Sequence, residues 1–130
     1  MNTIQDERPA IKKAEHEIEV AFCDLKDKPP NDWESMRRLH FLSTVLLTIR
    51  EANQLLAKYH GECNGFDPVC LFCLPRICRI RIGREYSLVI YVETQDFIGE
   101  EIARKMKADE FSLHQSVGIG GRTVYRFWWD

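Results

Sequence analysis

The stretch ICRIRIGREYSLVIYVE, residues 77–93, has the residue alternation of a β-hairpin. Apolar side chains occupy every second position of its two halves: Cys78, Ile80 and Ile82 in the first, and Tyr86, Leu88, Ile90 and Val92 in the second. Successive side chains of a strand point to opposite faces of a sheet, so this spacing predicts two strands that each have one apolar face. The segment from Gly83 to Glu85 separates the halves and is the predicted turn.

The residues before the hairpin have helical spacing instead. In residues 9–26 apolar side chains recur every three or four positions, which predicts an amphipathic helix that ends before the two prolines at 29–30. A second helix is predicted from an N-cap at Asn31 or Asp32 to about His60, with apolar positions around half of its circumference. Because so wide an apolar arc needs two partners, this helix is expected to lie between the first helix and the sheet.

The residues after the hairpin predict a third helix and a second hairpin. Thr94 is placed to cap a helix over residues 95–108, in which apolar residues recur every four positions. The C-terminal residues predict two strands around the glycine pair at 120–121, because a two-residue hairpin turn requires positive φ angles. If these glycines form the whole loop, His114 lies opposite Phe127.

Together these elements predict an α+β protein in the order ααββαββ. A helical hairpin, residues 1–60, is expected to pack on a mostly antiparallel sheet of four strands. A cysteine-rich connector, residues 61–76, joins it to a ββαββ unit, residues 77–130. The chain of 130 residues has the size of one domain and no linker separates the two halves, so a single domain is predicted.

Composition restricts the classes of function. Hydrophobic residues make up 45% and charged residues 29% of the sequence, values typical of a folded globular protein. The formal net charge of −2 argues against a general polyanion binder and against a highly acidic mimic of nucleic acid. The N-terminus lacks the basic and apolar regions of a signal peptide, and the apolar stretch 39–49 is too short to span a bilayer. We therefore expect a cytoplasmic protein with reduced thiols and no membrane partner.

The segment CNGFDPVCLFCLPRIC contains four of the five cysteines. Cys70 and Cys73 have the C-x2-C spacing of a zinc knuckle, and Cys63 with either Cys78 or His60 can complete a tetrahedral shell. A structural zinc ion would also explain how a long irregular connector stays ordered. The spacing is equally compatible with cysteines that pack as small buried apolar residues, and with a redox or disulfide role.

Arginines and aromatic residues are concentrated on the predicted sheet. Arg79 and Arg81 alternate with apolar residues and so project from one face, and Arg84 lies close to them in the sequence. The C-terminal run YRFWW adds four more candidate binding residues: Tyr125, Arg126, Trp128 and Trp129. Tryptophan, tyrosine and arginine dominate the energetics of protein interfaces, so these residues predict a binding surface. The alternatives are a solvated arginine face paired with nearby acids, and a C-terminal strand buried at the centre of the sheet.

No catalytic motif accompanies these residues. The sequence has no nucleophile elbow, no phosphate-binding lysine loop and no histidine pair at metal spacing. We therefore predict a non-enzymatic protein–protein interaction module, such as a small inhibitor, immunity-type or adaptor protein. The expected partner is another protein, and the sequence is also compatible with a homo-oligomer. The alternative is a zinc-stabilised nucleic-acid-binding protein that uses the arginine-rich hairpin.

Overall fold

The computed structural model describes residues 9–23, 40–58, 66–115 and 122–129. Over these residues the chain is α+β, with each pair of neighbouring strands antiparallel. The helices are α1 (Pro9–Cys23), α2 (Ile49–Leu56), the 3-10 helix η1 (Pro68–Cys73) and α3 (Glu100–Lys105). The strands are β1 (His40–Leu42), β2 (Leu47–Thr48), β3 (Arg79–Glu85), β4 (Ser87–Thr94), β5 (Glu110–Gln115) and β6 (Thr123–Trp128).

The strands form one sheet in the order β1-β3-β4-β6-β5, and β2 also pairs with β3. The hairpin predicted in residues 77–93 is confirmed as β3 and β4. Its turn is not where it was predicted, because Gly83 pairs with Val89 inside the ladder and only Tyr86 lies between the two strands. Tyr86 has a φ of 65°, a left-handed conformation that costs a non-glycine residue roughly 1 kcal/mol.

The prediction of one long second helix is wrong. Residues 40–42 and 47–48 form β1 and β2, both of which pair with β3, and within residues 40–58 the helix α2 begins only at Ile49. The described residues therefore contain six strands where four were predicted, and the predicted element order changes accordingly. The earlier part of the predicted helix, up to residue 39, lies outside the described residues.

Side-chain hydrogen bonds fix the junctions around β1 and β2. Ser43 and Thr44, between the two strands, donate from their hydroxyls to the carboxylate of Glu17 on α1 at 2.6 and 2.7 Å. The hydroxyl of Thr48 accepts from the backbone N–H of Glu51 at 3.2 Å, and the carboxylate of Glu51 accepts from the N–H of Thr48 at 2.9 Å. This reciprocal capping box lets the chain pass directly from β2 into α2.

β5 and β6 form the second predicted hairpin, but the predicted register is wrong. The residue opposite Phe127 is Phe111, whereas the predicted register placed His114 opposite Phe127. The two registers differ by three positions. Since β5 ends at Gln115 and β6 begins at Thr123, the connection is longer than the two glycines. The glycine pair itself lies outside the described residues.

α3 is shorter than the predicted third helix. Its N-cap is Gly99 and its C-cap is Met106. Thr94, the predicted N-cap, is instead the last residue of β4, and its hydroxyl accepts a hydrogen bond from the N–H of Asp96 at 3.0 Å. The residues that recur every four positions still pack on the core: Ile98, Ile102 and Met106. In the part of the chain that the structure describes, no helix has the length and apolar character needed to cross a membrane.

The helices cover one face of the sheet, which we call the inner face. Alternate residues of the three central strands form it, and all of them are buried: Ile80, Ile82, Ile90, Val92, Tyr125 and Phe127. The same core contains apolar residues of α1, α2 and η1: Ala14, Ile18, Leu55, Leu56 and Leu71. The residues that alternate with the inner face are therefore directed to the opposite side of the sheet.

Candidate functional site

The opposite side of the sheet, the outer face, carries polar and aromatic side chains. It is formed on the central strands by Arg81, Gly83, Glu85, Val89, Tyr91, Glu93, Arg126 and Trp128. The register sets these residues in rows across the sheet, so that Arg81, Tyr91 and Arg126 are neighbours on β3, β4 and β6. Side chains in such a row are close enough to interact directly.

Glu85 is the centre of a hydrogen-bonded network on the outer face. Its Oε1 accepts from Nε and Nη2 of Arg126 at 2.9 and 2.6 Å, and its Oε2 accepts from the hydroxyl of Tyr91. Arg126 also donates from Nη1 to Oε1 of Glu110 at 2.8 Å. Trp128 reaches across β4 and donates from Nε1 to the backbone carbonyl oxygen of Glu85 at 2.7 Å. The network thus connects β3, β4, β5 and β6.

The network shifts the ionisation of its members. Burial raises the pKa of Glu85, but hydrogen bonds from Tyr91 and Arg126 and the guanidinium charge outweigh burial, so this pKa lies below its ordinary value. Burial and the neighbouring Glu85 carboxylate raise the pKa of Tyr91 to about 12. Burial lowers the pKa of Arg126, but its hydrogen bonds to two carboxylates raise it by more. At neutral pH the phenol is therefore protonated and the guanidinium charged.

A second carboxylate balances the arginines at the other end of the outer face. Glu93 lies opposite Arg79 in the ladder, and its carboxylate is 3.5 Å from Nη2 of Arg81 and 3.8 Å from Nη1 of Arg122. Arg81 also donates from Nη1 to the backbone carbonyl oxygen of Ser43 at 3.3 Å. Ion pairs at a protein surface contribute only about 0–1 kcal/mol to stability, but these pairs reduce the positive charge of the face.

Aromatic and apolar side chains are accessible on the same face. The indole of Trp128 is half-buried. Leu42 lies in the same cross-strand row, on β1, and is 48% exposed. The rings of Tyr91 and His114 contact each other edge to face, with centroids 4.7 Å apart. The outer face therefore offers rings for packing and fixed polar groups for hydrogen bonding, the two components of a binding surface.

The register places four of the predicted binding residues on the outer face: Arg79, Arg81, Arg126 and Trp128. Arg79 has the same phase at the start of β3, and its guanidinium donates to the carbonyl oxygens of Ile77 and Cys78 at 3.3 and 3.2 Å. Arg84 has the phase of the inner face, and its Nε donates to the carbonyl oxygen of Tyr86 at 3.3 Å. The arginine cluster predicted along β3 is thus divided between two faces.

Tyr125 and Trp129 do not reach the outer face, and the prediction that they project outward is wrong. Trp129 is 0% exposed, its ring contacts Phe66 at a centroid distance of 4.7 Å, and its Nε1 donates to the carbonyl oxygen of Met106 at 3.0 Å. Tyr125 is buried, and its hydroxyl accepts from the N–H of Ile98 at 3.3 Å. Both side chains lie on the face that the helices cover.

Tyr91 and Glu85 belong to this site, although neither is among the predicted binding residues. Tyr91 alternates with buried neighbours on β4, so the pattern that places the arginines also places its ring on the outer face. Glu85 contacts Arg126 across 41 residues of sequence, through the strand order β3-β4-β6. No local pattern in the sequence predicts that contact.

The cysteines in the described residues do not form one cluster. No three histidine, cysteine, aspartate or glutamate side chains there make a group that could hold a metal ion, and Cys63 lies outside those residues. Cys70 and Cys73 are on η1, and burial together with the neighbouring Cys73 raises the pKa of Cys70 to about 12. Cys78 is buried, and burial raises its pKa despite a hydrogen bond with Thr94. A structural zinc ion stays a prediction, which elemental analysis of the purified protein before and after chelation would check.

The fold and the outer face define an α+β protein whose antiparallel sheet is packed by helices on one side and carries an ordered polar and aromatic surface on the other. Comparison of the chain with models of known protein families, with curated proteins and with solved structures finds no match. What this surface binds has to be inferred from its chemistry.

Proposed function

We propose that this chain is a non-enzymatic interaction module that binds a protein partner through the outer face of its sheet. The observation that supports this function is the half-buried indole of Trp128, held beside Tyr91 and Arg126 by the network around Glu85. Tryptophan, tyrosine and arginine are the side chains that contribute most of the binding energy at protein interfaces. A partner that packs on these rings would bury aromatic surface beside a guanidinium group whose position is already fixed.

The network also lowers the cost of binding. A long side chain that becomes ordered on binding costs roughly 0.5–1.5 kcal/mol. Arg126 is already held by two carboxylates, and Trp128 is hydrogen-bonded through its one donor. A surface fixed in this way suits a small inhibitor or adaptor, whose interface changes little when it binds.

The charges on the outer face favour a protein partner over nucleic acid. Arg81 pairs with Glu93, and Arg126 pairs with Glu85, so each guanidinium would have to leave a carboxylate in order to bind a phosphate. Nucleic-acid binding depends on cations that neutralise phosphates and release counterions. A salt titration of oligonucleotide binding separates the two functions, because a steep loss of affinity with salt would support the nucleic-acid alternative.

Affinity capture with mass spectrometry tests the proposed function. The wild-type chain is compared with Trp128→Ala and with Arg104→Ala, an exposed residue of α3 on the helical side of the sheet. We expect the wild type and Arg104→Ala to retain the same protein, and Trp128→Ala to bind it at least about tenfold more weakly, or about 1.4 kcal/mol.

Circular dichroism spectra establish that each variant is folded before its binding is compared. Equal capture of one protein by all three chains would show that the outer face is not the binding surface. Failure of the wild type to retain any protein would contradict the proposed function itself.

A further inference from the structure

β5 lies at one end of the sheet and, among the described strands, pairs only with β6. The free edge of such a strand presents N–H and C=O groups that bind a further strand unless the edge is protected. Lysine and proline are common protective residues, and the sequence of β5, EFSLHQ, contains neither. Its one irregularity is a bulge between Leu113 and Gln115, so the ladder is regular up to Leu113. The strand also exposes an apolar side chain, because Leu113 is 56% exposed.

The sequence of β5 is complementary to itself about Ser112. On either side of this residue are first an apolar side chain, Phe111 or Leu113, and then an ionisable one, Glu110 or His114. If two copies of the strand run antiparallel with Ser112 opposite Ser112, each Phe111 lies opposite a Leu113 and each Glu110 opposite a His114. Opposite residues of an antiparallel ladder share a face of the sheet, and this register satisfies that condition at Phe111, Ser112 and Leu113, where β5 pairs regularly with β6. His114 lies in the bulge, and its contact with Tyr91 places its ring on the outer face, as the pairing with Glu110 requires.

We propose that two copies of this chain associate through their β5 edges and form one continuous antiparallel sheet with a two-fold axis at Ser112. Such an interface uses the same patch on both copies, which is the commonest arrangement in homodimers. The second copy of the strand would pair with the backbone groups of β5 that no described strand pairs with.

On the inner face the pairing continues a layer of apolar side chains. Phe111 contacts the rings of Tyr125 and Phe127, with centroid distances of 5.6 and 4.9 Å, so the layer extends to the edge strand. Leu113, opposite Tyr125 in the ladder, is the exposed end of this layer. In the proposed dimer Leu113 packs against Phe111 of the second copy, which removes apolar surface from water twice because of the symmetry.

On the outer face the pairing brings a carboxylate next to an imidazole. The carboxylate of Glu110 is 2.8 Å from Nη1 of Arg126, and its side chain remains 57% exposed. The exposed imidazole of His114 contacts Tyr91. The register places His114 of the second copy opposite Glu110, so the two outer faces become neighbours across the axis. The pairing itself requires neither Trp128 nor Tyr91, and it therefore stands independently of the proposed function.

Sedimentation velocity of the full chain over a range of concentrations tests the dimer. We expect a concentration-dependent monomer–dimer equilibrium for the wild type and at least a tenfold weaker equilibrium for Leu113→Lys, which places an ammonium group in the apolar row. The matched control is Val69→Lys, because Val69 is 65% exposed on η1 and takes no part in the pairing. Trp128→Ala, which weakens the proposed partner surface, should dimerise as the wild type does.

A cross-link tests the register. Opposite residues of a ladder have Cα atoms about 4.5–5.5 Å apart, within the range that a disulfide spans. With oxidised glutathione as electron acceptor, Ser112→Cys should therefore give a covalent dimer whose linked peptides both contain position 112, and Val69→Cys should not give such a link. A wild-type chain that stays monomeric at all concentrations, a Leu113→Lys chain that dimerises like the wild type, or a cross-link absent from position 112 would each overturn the proposal.

Discussion

Trp128 and Trp129 are adjacent in the chain and lie in opposite environments. Trp129 is sealed in the core against Phe66 and donates to the carbonyl oxygen of Met106. Trp128 lies on the outer face and donates to the carbonyl oxygen of Glu85. The strand alternation separates the two indoles, and only one of them is available to a partner.

This difference predicts unequal effects on stability. Trp129→Ala should lower the free energy of unfolding by about 3–5 kcal/mol, because it removes a fully buried ring. Trp128→Ala should lower it by about 1–2 kcal/mol, because it removes one hydrogen bond and a half-buried ring. Urea unfolding of both variants followed by circular dichroism measures the two values. Equal losses would show that the two side chains are not buried to different degrees.

The sequence indicates which residues of β6 share a face but not which face is covered. Alternation along the strand places Tyr125, Phe127 and Trp129 on one side, and all three are buried. Their burial depends on the position of helices that are distant in sequence, and the alternation of one strand contains no information about that. Two of the predicted binding residues, Tyr125 and Trp129, therefore lie in the core.

At the scale of elements, β1 and β2 show why an edge strand can resemble a helix in sequence. The segment HFLSTVLLT has apolar residues at spacings that fit both a helical stripe and a half-buried strand. Pairing with β3 and hydrogen bonds from Ser43 and Thr44 to Glu17 favour the strand, and these contacts span 26 or more residues. The hairpin of β3 and β4 was predictable because its partner strands are adjacent in the chain.

The pairing of β1 with β3 depends on a glycine. A Cβ atom at Gly83 would lie 2.6 Å from the backbone carbonyl oxygen of Phe41, a distance that requires the backbone of β1 to move. Gly83→Ala should therefore lower the free energy of unfolding by about 1–3 kcal/mol. It should also accelerate amide exchange at Ser43, whose N–H donates to the carbonyl oxygen of Ile82 at 2.8 Å.

Gly99→Ala is the matched control for this variant. Its Cβ would lie 3.3 Å from Cε2 of Phe97, a ring that is 83% exposed and can move aside. Its cost should stay below about 1 kcal/mol, mostly from the weaker N-cap of α3, and amide exchange at Ser43 should be unchanged. Comparable exchange rates at Ser43 in the two variants would show that close packing at Gly83 does not hold β1 in place.

For the whole molecule, the α+β class and the antiparallel sheet could be predicted, and the residues of the outer face only in part. Periodicity predicts local elements, so α1 and the hairpin of β3 and β4 follow from residues that are near in sequence. The strand order decides which distant side chains meet, and it brings Glu85, Tyr91 and Arg126 together. Which side chains meet on the outer face therefore depends on the strand order, and local sequence patterns do not predict that order.

The same long-range contacts make the stability of the whole fold dependent on pH. Burial raises the pKa of Glu85, but hydrogen bonds from Tyr91 and Arg126 lower it by more. Burial also raises the pKa of Glu17, and hydrogen bonds from Ser43 and Thr44 lower it by more. Both carboxyls thus have a lower pKa in the folded chain than the ordinary value of 4.5 that the unfolded chain has. Their contribution to stability is complete above that ordinary value and is lost as the pH falls through the folded pKa.

Unfolding by urea at pH 7 and at pH 3 therefore tests the network. We expect the wild type to be less stable at pH 3, and Glu85→Gln to be less stable than the wild type at pH 7 because Arg126 loses the charge of its partner. Between the two pH values Glu85→Gln should lose less stability than the wild type, since one of the protonating carboxyls is absent. Glu100→Gln, an exposed acid on α3 outside the network, should keep the wild-type difference. If Glu85→Gln also kept the wild-type difference in stability between pH 7 and pH 3, protonation of Glu85 would not be linked to folding. The network would then not be what holds the outer face together.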